Sequence, residues 1–386
     1  MTTSAKAKIY LIAGEPSGDL LGSRLMKALK MKGDVEFLGL GGDTMQQAGL
    51  KSLFDISELA VMGLLEVIPS IPKILGRIRQ VVDDIKEHKP DVVITIDSWS
   101  FSSRIHKALR KLNLPIKQVH YVAPQVWAWK KRRAKTMYKY IDELLTLLPN
   151  EERYFTPYHL KVDFVGHPVI ESAALNADGK AFREEYNIPA TAKVISVLPG
   201  SRHNEVSRLL PDFLRAAELL YKQNPDLYFV LPTVSTVEKR VRSMLQNVTI
   251  PLLVVTGEDE RYGAFQASSA AIAASGTVAL ELAICHIPHI IAYKVAPLTY
   301  AIAKHLVKIK YVNLTNIMLN RLVIPELLQY DCTPENIAAN ISELLMQKDI
   351  YQRQEKAFGE IKSYLSAGEQ TPSNNAAEVI LGLCQC

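Results

Sequence analysis

Cysteine is scarce in this chain: four residues, Cys285, Cys332, Cys384 and Cys386, among 386. Cys285 lies in an apolar stretch and reads as a small core residue. The terminal Cys384-x-Cys386 has no matching ligand pair elsewhere, so a zinc site is not expected, and nothing demands an oxidising compartment. Long apolar runs are also missing. The longest stretch without Asp, Glu, Lys or Arg, Tyr262 to Leu280, is full of Ser, Ala, Gly and Gln, which argues against a membrane span. The first apolar run is short and leads into a glycine loop, so no signal peptide is expected and a cytoplasmic location is, although the chain could still lie on a membrane. No G-x-G-x-x-G follows the first strand, Gly39-x-Gly41-Gly42 being a poor substitute, which weighs against a nicotinamide enzyme. There is no G-x-x-x-x-G-K-[ST] loop and no G-x-S-x-G elbow. No Asp-x-Asp occurs, so a metal bridging a diphosphate has no obvious holder. No nucleic-acid recognition module is visible.

What is present reads as two α/β domains. A length of 386 residues exceeds one typical domain. Candidate strands run over Lys8–Ala13, Val35–Leu40, Asp91–Ile96, Lys117–Val122, Glu143–Leu147 and Val162–Val165. A second series runs over Lys193–Leu198, Leu227–Leu231, Leu252–Thr256, Ala270–Ala274 and His289–Tyr293. Helical patterns separate most of them, which implies parallel sheets with covered faces. Weakly hydrophobic Glu171–Lys180 reads as a linker, giving expected domains 1–170 and 171–345, with C-terminal helices over 346–386.

Several strand ends carry chemistry. Ile9–Ala13 runs into Gly14-Glu15-Pro16-Ser17-Gly18-Asp19, and Val194–Leu198 into Pro199-Gly200-Ser201-Arg202. Ligands of open α/β sheets bind beyond the carboxyl ends of the strands. In the second turn, Gly200 admits close backbone approach, helix-start N–H groups favour an anion, and Arg202 adds a fork of donors. The alternative is an ordinary strand–helix turn with a surface arginine. Ser275-Gly276-Thr277 precedes Glu281 by one turn; that carboxylate could accept from both hydroxyls of a ribose, or simply be exposed. Asp97, at a strand's carboxyl end, suits general-base work or could cap the next helix. His120 and His167 read as structural histidines.

Two features suit an anionic surface. The net charge is +5, a mild excess that fits an anionic substrate or membrane, but also neither. Lys130-Lys131-Arg132-Arg133 follows Trp127 and Trp129 and could contact phosphate or lipid headgroups, or be a solvated helix start. Leu59–Pro69 is nearly all apolar; Gly63 and Pro69 are expected to break it into a flexible flap, either buried or gripping lipid. Ile71, Ile74, Leu75, Ile78, Val81, Val82 and Ile85 follow at helical spacing and read as core packing.

With these residues in view, the chain resembles the lipid-A-disaccharide synthase family, bacterial glycosyltransferases of the GT-B class (family 19). The resemblance rests on Ala13–Asp19, Ala60-Val61-Met62-Gly63 with Glu66-Val67, Ile96-Asp97, His120-Tyr121-Val122-Ala123-Pro124-Gln125-Val126-Trp127-Ala128-Trp129, Val165-Gly166-His167-Pro168, Leu198–Arg202, Ala274–Thr277 and Tyr311–Asn316. These run in family order from about residue 8 to 330, the His-Tyr-Val…Val-Trp-Ala-Trp string being the most specific. Asp97-Ser98-Trp99-Ser100-Phe101 departs from the more usual Asp-x-Pro-x-Phe, and the last fifty or so residues match poorly.

The resemblance implies two Rossmann-like domains facing a cleft, with the C-terminal helix returning to the N-terminal domain. It implies UDP-2,3-diacylglucosamine as donor and 2,3-diacylglucosamine 1-phosphate as acceptor, giving with inversion a β-1,6-linked lipid A disaccharide 1-phosphate and UDP. Asp97 would be the base. Gly200, Ser201 and Arg202 would hold the diphosphate and Glu281 the ribose, with Ser275, Gly276, Thr277 and Asn316 elsewhere in the nucleotide site. Glu15, Ser17, Gly18 and Asp19 would line the acceptor side. Val61, Met62, Leu64, Leu65, Val67 and Ile68 would receive acyl chains at the cytoplasmic face of the inner membrane. No metal, cofactor or nucleic acid is expected, and a homodimer is possible. The competing readings are a UDP-N-acetylglucosamine 2-epimerase-like enzyme of the same fold and a non-catalytic binder of acylated sugar phosphates.

Overall fold

The computed structural model describes residues 6–59, 64–127, 131–296, 300–301 and 310–384, with backbone only for 64–71 and 131. These residues divide at Pro168/Val169 and again at Tyr364/Leu365 into two compact units.

The first unit is built on a parallel sheet of order β2-β1-β3-β4-β5-β6. Its strands are β1 (Ala7–Ala13), β2 (Val35–Leu40), β3 (Val92–Ile96), β4 (Lys117–Tyr121), β5 (Glu143–Thr146) and β6 (Lys161–Phe164). Ile9 to Ala13 and Val92 to Ile96 are buried throughout, as unbroken apolar runs must be when helices cover both faces. One face carries the helix Pro16–Lys32, through Leu21, Leu25, Met26 and Leu29, and the last helix, Pro372–Cys384, through Ala376, Ala377 and Ile380. The expected return of the C-terminal helix to this domain is therefore seen. A Lys32–Glu378 ion pair at 2.7 Å and an Asn375 Nδ2 bond to the Val165 carbonyl at 3.1 Å fix it there. The preceding helix, Lys348–Leu365, lies in the second unit except for its final residue.

The other face carries the helices Leu64–His88 and Trp99–Lys111. Ile78, Val81, Val82, Ile85, Ile105 and Leu109 pack there, so most of the apolar stripe is core as expected; Leu75 instead is 44% exposed. Each of these buried side chains stabilises the unit by about 1.5–3 kcal/mol. Pro69 does not end a flap: the helix already runs from Leu64 through it. Proline at this sixth helical position has no N–H to bond back to the Leu65 carbonyl, so the helix runs through Pro69 with that one bond missing.

The second unit has the parallel order β9-β8-β7-β10-β11-β12. Its strands are β7 (Lys193–Leu198), β8 (Leu227–Thr233), β9 (Leu252–Thr256), β10 (Ala270–Ala273), β11 (His289–Tyr293) and β12 (Glu326–Leu328). Counted from β7 this is 3-2-1-4-5-6, the dinucleotide-fold order; the first unit follows the flavodoxin-like 2-1-3-4-5 with one strand added. The helix His203–Gln223 buries Val206, Leu209, Leu210, Phe213 and Leu220 against its sheet. Glu171–Lys180, read as a linker, has local structure of its own. It forms short 3-10 turns and a helix start capped by Asp178, and Gln266 Nε2 donates to the Ala174 carbonyl at 2.7 Å.

Candidate active site

Strand order reverses in the first unit between β1 and β3, which pair with Ala13 opposite Ile96. The loops leaving these strands are Gly14–Glu15 and Asp97–Ser98, so topology alone sets them side by side at the switch point. Gly18 lets the helix Pro16–Lys32 approach β3: a Cβ there would lie 3.3 Å from the Ile96 carbonyl oxygen. Exposed Glu15 precedes Pro16, the first helical residue, and exposed Ser17 follows it.

Asp97 and Ser98 both adopt left-handed backbone, φ 56° and 44°. The strain is held by the Asp97 N–H donating to the Tyr121 carbonyl (2.9 Å) and by Ser102 Oγ donating to the Asp97 carbonyl (2.9 Å). Just past the neighbouring strand β4, Val122, a β-branched residue, stands at φ 83°. Such outliers cost about 1–3 kcal/mol each and concentrate at functional sites. The Asp97 carboxylate does not cap the following helix. Among the described residues its Oδ1 accepts only the Ser98 N–H, at 2.7 Å, and Ser98 Oγ donates to Glu15 Oε1. Burial raises the Asp97 pKa; the Ser98 N–H opposes this and the Glu15 charge adds to it. A half-buried carboxyl with a raised pKa beside an exposed carboxylate is arranged to take up a proton.

A buried chain braces this turn from below. Thr95 Oγ1 lies 2.7 Å from both His106 Nε2 and His120 Nδ1, and His106 Nδ1 lies 2.9 Å from Gln118 Oε1. Burial holds both imidazoles neutral, His106 down to about 4 and His120 well below its ordinary value. Trp99 packs edge-on against His120 at 4.7 Å. Helical spacing on an otherwise amphipathic stretch hides His106, whose partners only the fold supplies. Glu151, beyond β5, is likewise invisible in the sequence: it accepts from Trp127 Nε1 and from the Leu148 N–H, both at 3.3 Å.

Asp19 does not present its carboxylate to an acceptor. It is 5% exposed, and Oδ1 accepts from Gly42 and Met45 N–H (2.7 and 3.0 Å) while Oδ2 accepts from Thr44 N–H and Oγ1 (2.9 and 2.7 Å). It thus caps the short helix Asp43–Gln47, whose own N-cap, Gly42, has no side chain to do so.

In the second unit order reverses between β7 and β10, paired with Leu198 opposite Ala273. The fold therefore sets Gly200-Ser201-Arg202 beside Ser275-Gly276-Thr277. Gly200 has φ 108°, and a Cβ would lie 2.4 Å from Glu205 Oε2, so only glycine fits. Ser201 and Arg202 are exposed at the start of the helix His203–Gln223, and Arg202 Nη1 pairs with Glu205 at 3.0 Å. Gly276 and Thr277 are exposed and Ser275 half-buried. Glu281 pairs with Arg261 at 3.3 Å. Asn316 is fully buried and spent within its loop: Oδ1 accepts from Val323 and Ile324 N–H, and Nδ2 donates to the Ile324 carbonyl and Glu326. Glu326 also receives the Val312 and Asn313 N–H groups, so this network shapes the Tyr311–Asn316 loop.

Val61 and Met62 lie outside the described residues, as do the side chains of Leu64, Leu65, Val67 and Ile68. Among the described residues no helix is long and apolar enough to cross a membrane, and no cluster of His, Cys, Asp or Glu is placed to hold a metal ion.

The sequence profile of the lipid-A-disaccharide synthetase family matches residues 9–381. The lipid-A-disaccharide synthase of Rhodospirillum centenum is 46% identical over 377 residues, 97% of this chain and 94% of that protein. That of Paramagnetospirillum magneticum is 48% identical over 377 residues, 97% and 96% of the two chains. Among solved structures, the UDP-GlcNAc 2-epimerase from Neisseria meningitidis, bound to UDP-GlcNAc, is similar at TM-score 0.64 and 13% identity over 97% of this chain and 98% of that one. The glycotransferase of kitacinnamycin is similar at TM-score 0.65 and 14% identity, over 99% and 100%. At such identities the structural likeness is one of fold, the fold shared by GT-B glycosyltransferases and these epimerases.

Proposed function

The chain belongs to the lipid-A-disaccharide synthase family and is a glycosyltransferase of lipid A disaccharide synthesis, acting on a sugar nucleotide and a lipid-bearing sugar; on that premise we propose how its residues divide the reaction. The donor is UDP-2,3-diacylglucosamine and the acceptor 2,3-diacylglucosamine 1-phosphate. Asp97 takes the proton of the acceptor 6-hydroxyl as that oxygen bonds to the donor's anomeric carbon. The bond from that carbon to the UDP β-phosphate oxygen breaks with its electron pair going to UDP, and the anomeric centre inverts to β. The observation that carries this is the Asp97 carboxyl, half-buried at the β1/β3 switch point, raised in pKa and accepting one N–H among the described residues.

Gly200 and Ser201 offer backbone N–H groups and Arg202 its guanidinium to the leaving diphosphate, which stabilises charge where it develops. Glu281 accepts from the ribose, with Ser275, Gly276 and Thr277 forming the adjoining loop. Glu15, Ser17 and Gly18 border the acceptor. Asp19 and Asn316 act one step removed, as positioning residues that hold their loops. The apolar segment containing Val61, Met62, Leu64, Leu65, Val67 and Ile68 takes acyl chains, which places the protein on the cytoplasmic face of the inner membrane.

Purified protein in detergent and EDTA, given donor with and without acceptor, tests the reading. Acceptor-dependent UDP release with a disaccharide product is expected. Acceptor-independent UDP release, or conversion of UDP-N-acetylglucosamine to UDP-N-acetylmannosamine, would contradict it.

A further inference from the structure

A pocket of about 360 Å³ opens along the helix Trp99–Lys111, lined by Trp99, Ser100, Ser103, Arg104, Lys107, Arg133 and Tyr140. Ser100, Ser103, Arg104 and Lys107 fall at i, i+3, i+4 and i+7, one face of a single helix. Three of the seven liners are cations and none is a carboxylate. Lys107 and Arg104 make no ion pair among the described residues; Arg104 Nη1 donates only to the Ser100 carbonyl. On the same helix, Arg110 is neutralised by Asp142 at 2.5 Å. Arg133 Nη2 donates to Ser100 Oγ at 3.2 Å, which ties Arg133 to this helix. The charges of Arg104 and Lys107, side by side on this concavity, repel unless an anion joins them. Serine and tyrosine hydroxyls and two guanidinium forks are the donor set that a phosphate monoester fills.

We propose that this pocket binds the phosphomonoester of the acceptor sugar. The inference rests on the reaction assigned above. The helix begins two residues after Asp97 and rises about 1.5 Å per residue, so the liners Ser100 to Lys107 spread over about 10 Å from the catalytic end. An acceptor whose 6-hydroxyl meets Asp97 carries its 1-phosphate at the opposite end of the same ring, toward these cations. The pocket thereby selects the phosphorylated acceptor and sets which end of the sugar reaches Asp97.

The test compares 2,3-diacylglucosamine 1-phosphate with its dephosphorylated counterpart as acceptor, in wild type and in the double variant Arg104→Ala/Lys107→Ala. Both positions are exposed and alanine favours helix, so the variant keeps its fold, which circular dichroism checks. Wild type is expected to prefer the phosphorylated acceptor, mainly through KM. The double variant should lose about 10–100-fold in kcat/KM on it, the worth of one or two charged hydrogen bonds, with little change on the dephosphorylated acceptor or in donor KM. Lys107→Arg should retain most of the preference. Equal preference in wild type and double variant overturns the proposal. So does a variant that keeps the preference yet loses binding to phosphatidylglycerol vesicles relative to phosphatidylcholine, because the pocket would then serve a membrane headgroup. Absence of any acceptor-dependent UDP release in wild type would instead overturn the assigned reaction.

Discussion

Ser98 Oγ donates to the Glu15 carboxylate, joining the loop after β3 to the loop after β1 immediately beside Asp97. This bond fixes a negative charge near a half-buried acid, and that charge helps hold the Asp97 proton. Replacing Glu15 by Gln removes the charge and keeps the shape. The acid limb of the pH–kcat/KM profile, set by Asp97, should then move to lower pH. An acid limb that stays in place, or moves up, would show that Glu15 does not act on Asp97.

The second unit makes a separate prediction. Arg202 is 64% exposed, so Arg202→Ala should leave stability unchanged while weakening UDP binding by about 10–100-fold. Gly200→Ala should do both kinds of damage. At φ 108° its methyl meets Glu205, costing about 1–3 kcal/mol and displacing the partner of Arg202. Urea unfolding and UDP titration calorimetry on the two variants separate the effects.

Asp19 predicts the opposite split. Asp19→Ala strips the cap from Asp43–Gln47 and leaves three buried or half-buried N–H groups unpaired. A loss of at least ~3 kcal/mol in urea unfolding is expected. Acceptor KM measured well below the melting temperature should change little. A large KM change at intact stability would return Asp19 to the acceptor surface.

Glu151 sets a pH dependence of stability. Burial pushes its carboxyl from 4.5 up to about 7, so between those values the folded protein holds a proton that the unfolded chain releases. Its contribution is complete below about 4.5 and is lost as pH rises through 7. Glu151→Gln should therefore gain stability relative to wild type at pH 8 and not at pH 5, by roughly 2 kcal/mol. Urea midpoints at the two pH values decide it.

The fold was legible because apolar runs such as Ile9–Ala13 and Val194–Leu198 cannot be anything but buried parallel strands between helices. β12 escaped, since Glu326–Leu328 is too short to show a pattern and is recruited by pairing with β11. Pro69 misled because a helix can run through a proline at the loss of one backbone bond, which the residue type alone does not show. Strand ends marked the loops, and the structure brings Glu15 to Asp97 and Arg202's turn to Thr277's. Sequence position could not show where polar atoms are already spent. Asp19 and Asn316 stand in the right loops with every oxygen occupied. His106 carried no signal at all, because its partners Thr95 and Gln118 come from strands that only the folded sheet sets beside it.

The most direct measurement is single-turnover transfer by Asp97→Asn alongside UDP binding. The amide keeps the shape and can take no proton. Turnover should fall by about 10²–10⁴-fold with UDP affinity unchanged. Turnover within a few-fold of wild type would contradict the assignment of Asp97 as the base.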